Sequence, residues 1–340
     1  RQYWSAHGVE LTVWPFMSDR FYAIRRTFGR VASLRKAVHF GISVMRLLGR
    51  IWRVRRFDAV IIHREVFPLG PPVFERLVAR LNRDVTFDLD DAMWHAPSNH
   101  VHQRRFLLDP QRIQKIMAAC TRVTAGNDYI ADFARHHSPQ VVVLPTGCDD
   151  MGNAAEGEVE QSRARPVVVW IGNIGNAAYV REVMPALEEV NARHPFVLRL
   201  IGGDDIAEVV SDQLEIEHLP WRRDRESIWL RTSDVGIMPL FDMDFEQGKC
   251  AFKIIQYFSA GLPVVCSAIG MNRQVVDHGQ NGYLSTSPSE WVDHLTKLLG
   301  NPHTRTEMAG HARQTYLERF TRERIGDRWL RILRSNGAGN

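Results

Sequence analysis

Short apolar segments alternate along the chain with longer stretches in which apolar residues recur every three or four positions. The short segments are rich in valine and isoleucine, as is typical of strands buried on both faces of a parallel sheet. In the first half of the chain, strands are predicted at residues 59–63, 85–90, 122–127 and 141–146. Helices are predicted between them, at residues 71–82, 109–119 and 128–137. This alternation indicates an α/β architecture with crossover connections.

A second alternation follows a polar linker, rich in glycine and alanine, at residues 150–165. Its predicted strands lie at residues 166–172, 196–203, 214–220, 235–240, 262–267 and 282–285. Its predicted helices lie at residues 177–193, 224–231, 250–260, 271–278, 288–299 and 303–318. Two consecutive doubly wound units predict a cleft between them, with ligands bound beyond the carboxyl ends of the strands.

The chain begins with a segment that is typical of the middle of a βαβ unit. Residues 1–7 have the pattern of a helix end, Gly8 that of a turn, and residues 9–14 that of a strand. A strand normally precedes such a helix, so we expect the first strand and loop of the fold to be missing from this chain. An ordinary processed N-terminus is the alternative.

A long amphipathic helix is predicted over residues 21–51, with an interruption at Gly29 or Gly41. Residues 1–60 contain 12 lysines and arginines against three acidic residues, a net charge of +9, so the other 280 residues carry −5. Most of these basic residues fall within residues 21–56. This basic surface is either an ordinary solvated helix face or a surface that lies on anionic lipid headgroups.

The composition is typical of a soluble globular protein with two domains. Of 340 residues, 44% are apolar and 24% are charged, and no apolar run approaches the roughly 18 residues that cross a bilayer. The four cysteines, Cys120, Cys148, Cys250 and Cys266, are scattered, which argues against a zinc knuckle and favours a reducing cytoplasm. Neither a secretory signal nor a nucleic-acid reader motif is visible, so we expect a cytoplasmic protein that does not bind nucleic acid.

The segment DFEQGKCAFKIIQYFSAGLPVV, residues 244–265, contains the strongest candidate site. A helix is predicted to start near Gly248, with Lys249 and Lys253 in or near its first turns. The unpaired amides and the positive dipole of a helix start, together with two lysines, suit a diphosphate. Gln256 lies about one turn beyond Lys253 and can hydrogen-bond a ribose hydroxyl.

This segment resembles the nucleotide-sugar site of retaining glycosyltransferases of family 4, the glycosyl transferases group 1, which have the GT-B fold. It is most similar to a branch with the pattern GKCxFKxxQYMAxGxPVV. Most of the wider family has two glutamates eight positions apart, where this chain has Gly248 and Gln256. We therefore expect Asp244 or Glu246 to take over the role of the first glutamate, and Gln256 to bind the ribose.

The resemblance implies further donor contacts in the second half of the chain. The segment VWIGNIGNAAYV, residues 169–180, looks like the family's first donor-domain strand and glycine turn, in which Gly172 and Gly175 allow the backbone to approach a phosphate. Trp221 falls where relatives hold the base, although a packed aromatic side chain at a strand end explains it equally well. The complete predicted donor site is Gly172, Asn173, Gly175, Trp221, Asp244, Glu246, Gly248, Lys249, Cys250, Lys253 and Gln256.

Polar residues at strand ends in the first half are the candidate acceptor site: Arg64, Glu65, Asp90, Asp91, His95 and Asn127. Asp91 is predicted to be catalytic together with Lys249 and Lys253. The neighbouring carboxylates Asp88, Asp90 and Asp91 also suggest a magnesium site. The resemblance implies instead that basic residues and helix ends neutralise the diphosphate, so we expect no metal and no other cofactor.

The resemblance covers nearly the whole chain and implies two Rossmann-like domains that face a cleft. Residues 1–158 would bind the acceptor and residues 163–318 the donor, and a last helix at residues 319–334 would pack back on the first domain. The implied activity is transfer of a sugar, with retention, from a nucleotide-diphosphate sugar to a hydroxyl of a glycan or lipid-linked acceptor. Such a step belongs to cell-envelope or exopolysaccharide synthesis at the inner face of the membrane. Two alternatives stay open, a degenerate nucleotide-sugar-binding protein and a nucleotide-sugar 2-epimerase.

Overall fold

Two parallel sheets organise the part of the chain that the computed structural model describes, which is residues 2–24, 29–95, 109, 111–152 and 164–335. The first sheet has four strands in the order β1-β2-β3-β4, namely β1 Val60–His63, β2 Val85–Leu89, β3 Arg122–Ala125 and β4 Val141–Val143. The helices of this half are α1 Gln2–Ala6, α2 Asp19–Ile24, α3 Arg30–Ile51, α4 Val73–Leu81, α5 Arg112–Met117 and α6 Asp128–Arg135. Most of the predicted linker lies outside the described residues.

The second sheet has six parallel strands in the order β10-β9-β8-β5-β6-β7. They are β5 Val167–Ile171, β6 Val197–Gly202, β7 Glu215–Pro220, β8 Val235–Met238, β9 Val264–Ser267 and β10 Gly282–Ser285. The helices are α7 Ala177–Arg193, α8 Glu226–Arg231, α9 Asp244–Gln247, α10 Phe252–Ser259, α11 Asn272–Val275, α12 Pro288–Gly300, α13 Pro302–Arg319 and α14 Arg322–Arg334. The chain reverses its winding at β5, because β6 and β7 lie on one side of this strand and β8 to β10 on the other. Open α/β sheets bind their ligands at such a reversal.

Burial explains why the apolar segments form these strands. Every residue of β5, β8 and β9 is buried, as expected for strands covered by helices on both faces. The predicted α/β class with two parallel sheets is confirmed. The described strands of the first sheet follow one another in chain order, so only the second sheet is doubly wound.

The last helix, α14, joins the second half of the chain to the first sheet. Arg328 donates a hydrogen bond to the carbonyl of Val143, at 2.6 Å. Ile325 and Ile332 pack with Leu144 in a small apolar cluster. These contacts place the C-terminal helix against the edge of the N-terminal sheet.

The predicted N-terminal strand at residues 9–14 is wrong. The segment is not a strand, and the Val9 amide donates to the carbonyl of Trp4, at 2.9 Å, to close the turn after α1. A strand requires a ladder partner, and no other segment within the described part of the chain pairs with this one.

The boundaries of two predicted helices also change. The long N-terminal helix is described in two parts, α2 and α3. Gly29, immediately before α3, has a φ of 107°, while Gly41 lies inside α3. Residues 25–28 of the predicted basic helix lie outside the described residues. The helix predicted at residues 250–260 is present as α10, which begins at Phe252 rather than near Gly248, and a short additional helix, α9, precedes it. Ala251, with a φ of 51° in the left-handed region, separates them.

Candidate active site

A cavity of about 830 Å³ opens at the carboxyl ends of β5, β6 and β7. Its walls come from the residues that follow these strands, from the beginnings of α8 and α10, and from the segment after β4. Five of the predicted donor residues line it: Gly172, Asn173, Trp221, Lys253 and Gln256. The volume falls within the range of small-molecule sites, which is about 300 to 1,000 Å³.

The floor of this cavity is bare backbone. A Cβ atom on Gly172 would lie 2.4 Å from the indole of Trp170, and one on Gly202 would lie 2.5 Å from the carbonyl oxygen of Gly172. Only glycine fits at these two positions, because a side chain would collide with neighbouring atoms of the protein, and the main chain itself lines the cavity there. Gly175, also predicted at this site, lies in a short turn after β5 and is not among the lining residues.

Lys253 projects from the first turn of α10 into the cavity wall. Its Nζ atom lies 5.1 Å from the centroid of the Trp170 ring. Burial removes water from the Lys253 ammonium group and is the main cause that lowers its pKa to about 7. Repulsion from Lys249 is the smaller cause. Lys249 lies just outside the cavity wall, with its Nζ atom 4.8 Å from the centroid of the Phe245 ring. The two lysines therefore form a cationic pair, as expected, although Lys249 is not on the helix.

Gln256 is joined in the cavity wall by a residue that sequence reasoning missed. The amide Nε2 of Gln256 donates to Oε1 of Glu226 at 2.5 Å, and both residues line the cavity. Glu226 comes from the start of α8, thirty positions away, and no local motif marks it. The wall therefore has a carboxylate beside the position where this chain has Gln256 in place of the family's second glutamate.

We call residues 244–251, from the start of α9 to the start of α10, the donor loop. Its two acidic residues lie away from the cavity lining. Glu246 has no exposed surface, and its carboxylate accepts a hydrogen bond from the hydroxyl of Tyr179. Asp244 is exposed at the start of α9. Neither residue is among those that line the cavity, and their contact with a donor stays a prediction. The buried pair of Glu246 and Tyr179 instead ties the donor loop to α7.

Gly248 and Cys250 form the contact between the two halves of the chain rather than the cavity wall. A Cβ atom on Gly248 would lie 2.3 Å from the Cβ of Ala92. A Cβ atom on Gly126 would lie 2.2 Å from the sulfur of the buried Cys250. Both residues thus pack closely between the two halves, and their role as donor contacts stays a prediction.

The first half presents an ion-paired cluster at the carboxyl ends of β1 and β2. Arg64 binds Asp90 through two hydrogen bonds of 2.7 and 2.9 Å and reaches Asp91 at 2.8 Å. Burial raises the pKa of Asp91, while Lys249 and Arg64 both act to lower it. The structure therefore brings Asp91 and both lysines into one electrostatic group. Arg64 itself has a φ of 63°, an unusual value for a non-glycine residue.

His63 also belongs to this cluster, although it was not predicted from the sequence. Its Nδ1 lies 2.9 Å from Oδ2 of Asp88, and the hydroxyl of Thr124 donates to the other oxygen of Asp88 at 2.7 Å. The hydrogen bond to Asp88 raises the pKa of His63. A histidine immediately before Arg64, at the end of a strand, was a visible signal for this residue.

Glu65 and His95 flank the cluster in different surroundings. Burial raises the pKa of Glu65, whose carboxylate lies 4.0 Å from Nε of Arg112. The Nε2 of His95 lies 3.0 Å from the hydroxyl of Tyr129. Both side chains are partly exposed and stay candidates for acceptor contact.

Asn127 lies at the start of α6 and links it to the donor loop. Its side chain accepts from the amide of Ile130, at 2.9 Å, and so caps α6. The same side chain donates to the carbonyls of Gln247 and Lys249, at 3.3 and 3.1 Å. Asn127 is buried and therefore positions the donor loop, while its contact with an acceptor stays a prediction.

Two parallel sheets, a cavity beyond the strand ends of the second and an ion-paired cluster beyond those of the first define a protein of the GT-B class, the two-domain fold of many glycosyltransferases. Residues 165–301 match the family model of glycosyl transferases group 1. The family resemblance predicted from the motif is therefore confirmed for this part of the chain.

Individual relatives agree with this assignment. A D-inositol 3-phosphate glycosyltransferase of Paenarthrobacter aurescens is 31% identical over 113 residues, which is 33% of this chain and 26% of that protein. Spore coat protein SA of Bacillus subtilis is 26% identical over 51% of this chain and 49% of its own length. The chain thus spans between a quarter and a half of these relatives. Among solved structures, Anabaena HepE in complex with UDP and glucose superposes with a TM-score of 0.66 and 14% identity, over 85% of this chain and 81% of HepE.

Proposed function

We propose that this protein transfers a sugar, with retention, from a nucleotide-diphosphate sugar to a hydroxyl acceptor. The observation that carries the proposal is the cavity beyond β5 to β7, where Lys253 and the pair of Glu226 and Gln256 line one wall. The family match and the UDP bound to a protein of the same fold support the same conclusion.

Each part of a nucleotide-diphosphate has a complementary group in this cavity. The exposed indole of Trp221 offers a stacking surface for the base. Glu226 and Gln256 offer hydrogen-bond acceptors to the vicinal hydroxyls of a ribose. Lys253 and the amides at the start of α10 meet the diphosphate, beside the bare backbone at Gly172. In this proposal the charge of the diphosphate is met by cationic side chains, and no metal or other cofactor takes part.

The chemistry follows from where charge develops. As the bond between the sugar carbon and the diphosphate oxygen breaks, negative charge grows on the leaving group, which Lys253 and Lys249 stabilise. The acceptor oxygen bonds to the same face of the sugar carbon, and its proton passes to the departing phosphate oxygen. No protein nucleophile is required. In the free protein the pKa of Lys253 is about 7. The negative charge of a bound diphosphate raises this pKa and so favours the protonated lysine.

The cluster around Arg64 and Asp91 is the proposed acceptor side. Its carboxylates can accept hydrogen bonds from sugar hydroxyls, and Asp91 lies close enough to Lys249 for the two charges to interact. The proposed acceptor is a glycan or a lipid-linked sugar used in cell-envelope or exopolysaccharide synthesis. The relative named for D-inositol 3-phosphate supports an acceptor rich in hydroxyl groups.

Calorimetric titration with UDP, GDP and dTDP, followed by assays of donor hydrolysis and transfer, tests the proposal. We expect one nucleotide diphosphate to bind and its sugar ester to be hydrolysed slowly without acceptor. Binding without any turnover of the sugar ester would favour a degenerate binding protein, and epimerised sugar would favour a 2-epimerase. Failure of all three nucleotides to bind would overturn the proposal.

A further inference from the structure

Helix α3 exposes an apolar stripe along its whole length. Its members recur every three or four positions and are exposed by 42 to 69%. They are Val31, Leu34, Val38, Ile42, Met45 and Leu48 of the helix and Trp52 of the turn that follows. On a helix this spacing places all of them on one face. We call these seven residues the α3 stripe.

The opposite face of α3 packs against the rest of the first half. Ser43 and Ile51 are its buried residues, and the ring of Phe40 lies 5.6 Å from that of Phe16 and 5.8 Å from that of Phe67. A polar serine is thus buried while large apolar residues face outward. This inverts the usual arrangement of a surface helix, so the α3 stripe is not part of the core of the described residues.

The charge around the stripe has a single sign. Residues 30–57 contain eight lysines and arginines and no acidic residue. Arg35 and Arg46 are exposed and lie along one edge of the stripe at 100° per residue, and Arg53, Arg55 and Arg56 are exposed in the turn after the helix. A second copy of this face would meet it with the same positive charge, so self-association is unfavourable.

We propose that α3 lies in the surface of an anionic bilayer, with the α3 stripe among the acyl chains and its arginines on the lipid phosphates. The 22 residues of the helix give a length of about 33 Å, and a Trp at one end suits the level of the headgroups. None of the described helices is both long and apolar enough to cross a membrane. The sequence placed only the basic surface at the lipid, whereas the structure adds an apolar face that enters it. This inference does not depend on the proposed sugar transfer.

Co-sedimentation of the full chain with phosphatidylcholine vesicles, with and without phosphatidylglycerol, tests the proposal. We expect binding only when the anionic lipid is present. The triple variant Leu34→Gln, Val38→Gln, Met45→Gln should weaken this binding at least about tenfold. The matched control Val73→Gln, Val210→Gln, Leu317→Gln changes three other exposed apolar residues and should bind like the wild type.

Further measurements separate insertion of the α3 stripe from three other effects, which are charge attraction, loss of folding and dimerisation. Replacing Arg35, Arg46 and Arg53 by Gln should remove the preference for phosphatidylglycerol, because these residues supply the charge beside the stripe. Circular dichroism and urea unfolding show whether each variant is folded, independently of lipid. Absence of vesicle binding by the wild type, or equal binding by the stripe variant, would overturn the proposal. So would a dimer in analytical ultracentrifugation that the stripe variant loses while vesicles have no effect.

Discussion

The basic side chains on the two sides of the cleft have opposite surroundings. On the donor side, Lys253 lies beside Lys249 and the face of Trp170, without an ion-pair partner among the described residues, and its pKa falls to about 7. On the other side, Arg64 is already paired with Asp90 and Asp91. A cation without a counter-charge gains most from a charged ligand, whereas paired charges offer hydrogen bonds to a neutral one. This difference is what a reaction between a diphosphate sugar and a hydroxyl requires.

Removal of the unpaired cation is expected to have the largest effect. Lys253→Gln should weaken binding of a nucleoside diphosphate by about tenfold to 100-fold, the usual worth of a charge-assisted hydrogen bond. Binding of the corresponding nucleoside should change by less than about twofold. Lys297→Gln, at an exposed position on α12, is the matched control in the same titrations. Equal losses for the nucleoside and the diphosphate would remove Lys253 from the phosphate site.

The lowered pKa of Lys253 predicts a pH dependence of binding. Above the pKa of about 7 this lysine is mostly neutral in the free protein, so binding a diphosphate must take up a proton. Affinity should therefore fall by up to about tenfold per pH unit above 7. Calorimetry in two buffers of different ionisation enthalpy measures the protons taken up, and Lys253→Arg, which stays charged, should take up none.

The same pKa makes a prediction for stability. The unfolded chain keeps the ordinary lysine pKa of 10.5 and binds more protons, so this residue should make the free energy of unfolding rise as pH increases from about 7 to 10.5. Urea unfolding of the wild type and of Lys253→Gln across this range isolates the contribution. Identical pH dependence in the two proteins would contradict a lowered pKa.

Substitution of Glu226 tests the ribose end of the donor, as substitution of Lys253 tests the diphosphate end. Glu226→Gln should weaken binding of a ribonucleotide by about tenfold, because an uncharged amide is a poorer acceptor for two hydroxyls. A 2′,3′-dideoxy nucleotide should bind the two proteins alike. Glu189→Gln, exposed on α7 and paired with Arg193 at 2.7 Å, controls for the loss of a surface carboxylate. A loss that is the same for both nucleotides would assign Glu226 to supporting Gln256 only.

The link between the two sides is expected to affect stability rather than ligand binding. Asn127→Ala removes both the cap of α6 and two hydrogen bonds to the donor loop. Urea unfolding should show a loss of about 2 to 3 kcal/mol in the free energy of unfolding. Asn301→Ala, which removes only the cap of α13, should lose about 1 kcal/mol. Equal losses would mean that the hydrogen bonds to the loop contribute nothing to stability.

The sequence was sufficient for features that depend on local pattern. The apolar segments predicted all ten strands of the two sheets, because a parallel strand buried on both faces has a composition of its own. The motif around Lys253 and Gln256 predicted two residues that the structure places in the cavity wall. Residues 9–14 show the limit, since their alternating pattern suits a strand but cannot supply a partner.

Features that depend on tertiary pairing could not be predicted. Glu226 reaches Gln256 from another helix, and Glu246 is buried against Tyr179; neither is apparent from spacing along the chain. The amphipathic pattern of α3 predicted a helix with two unlike faces, but the pattern does not say which face packs inward. Here the apolar one faces out, because the aromatic side chains of the first half pack on the other.

The close contacts of Gly248 with Ala92 and of Gly126 with Cys250 set how the two halves can move. Backbone on each side already touches atoms of the other, so the halves cannot approach further at this point. If one half rotates against the other while these contacts persist, the contacts would be the pivot. Asp91 and Lys249 are the immediate sequence neighbours of Ala92 and Gly248 and would keep their spacing through such a rotation, while groups at the cavity mouth, such as Trp221, would sweep a wider arc. Entry of a ligand and alignment of the reacting groups would then be mechanically separate.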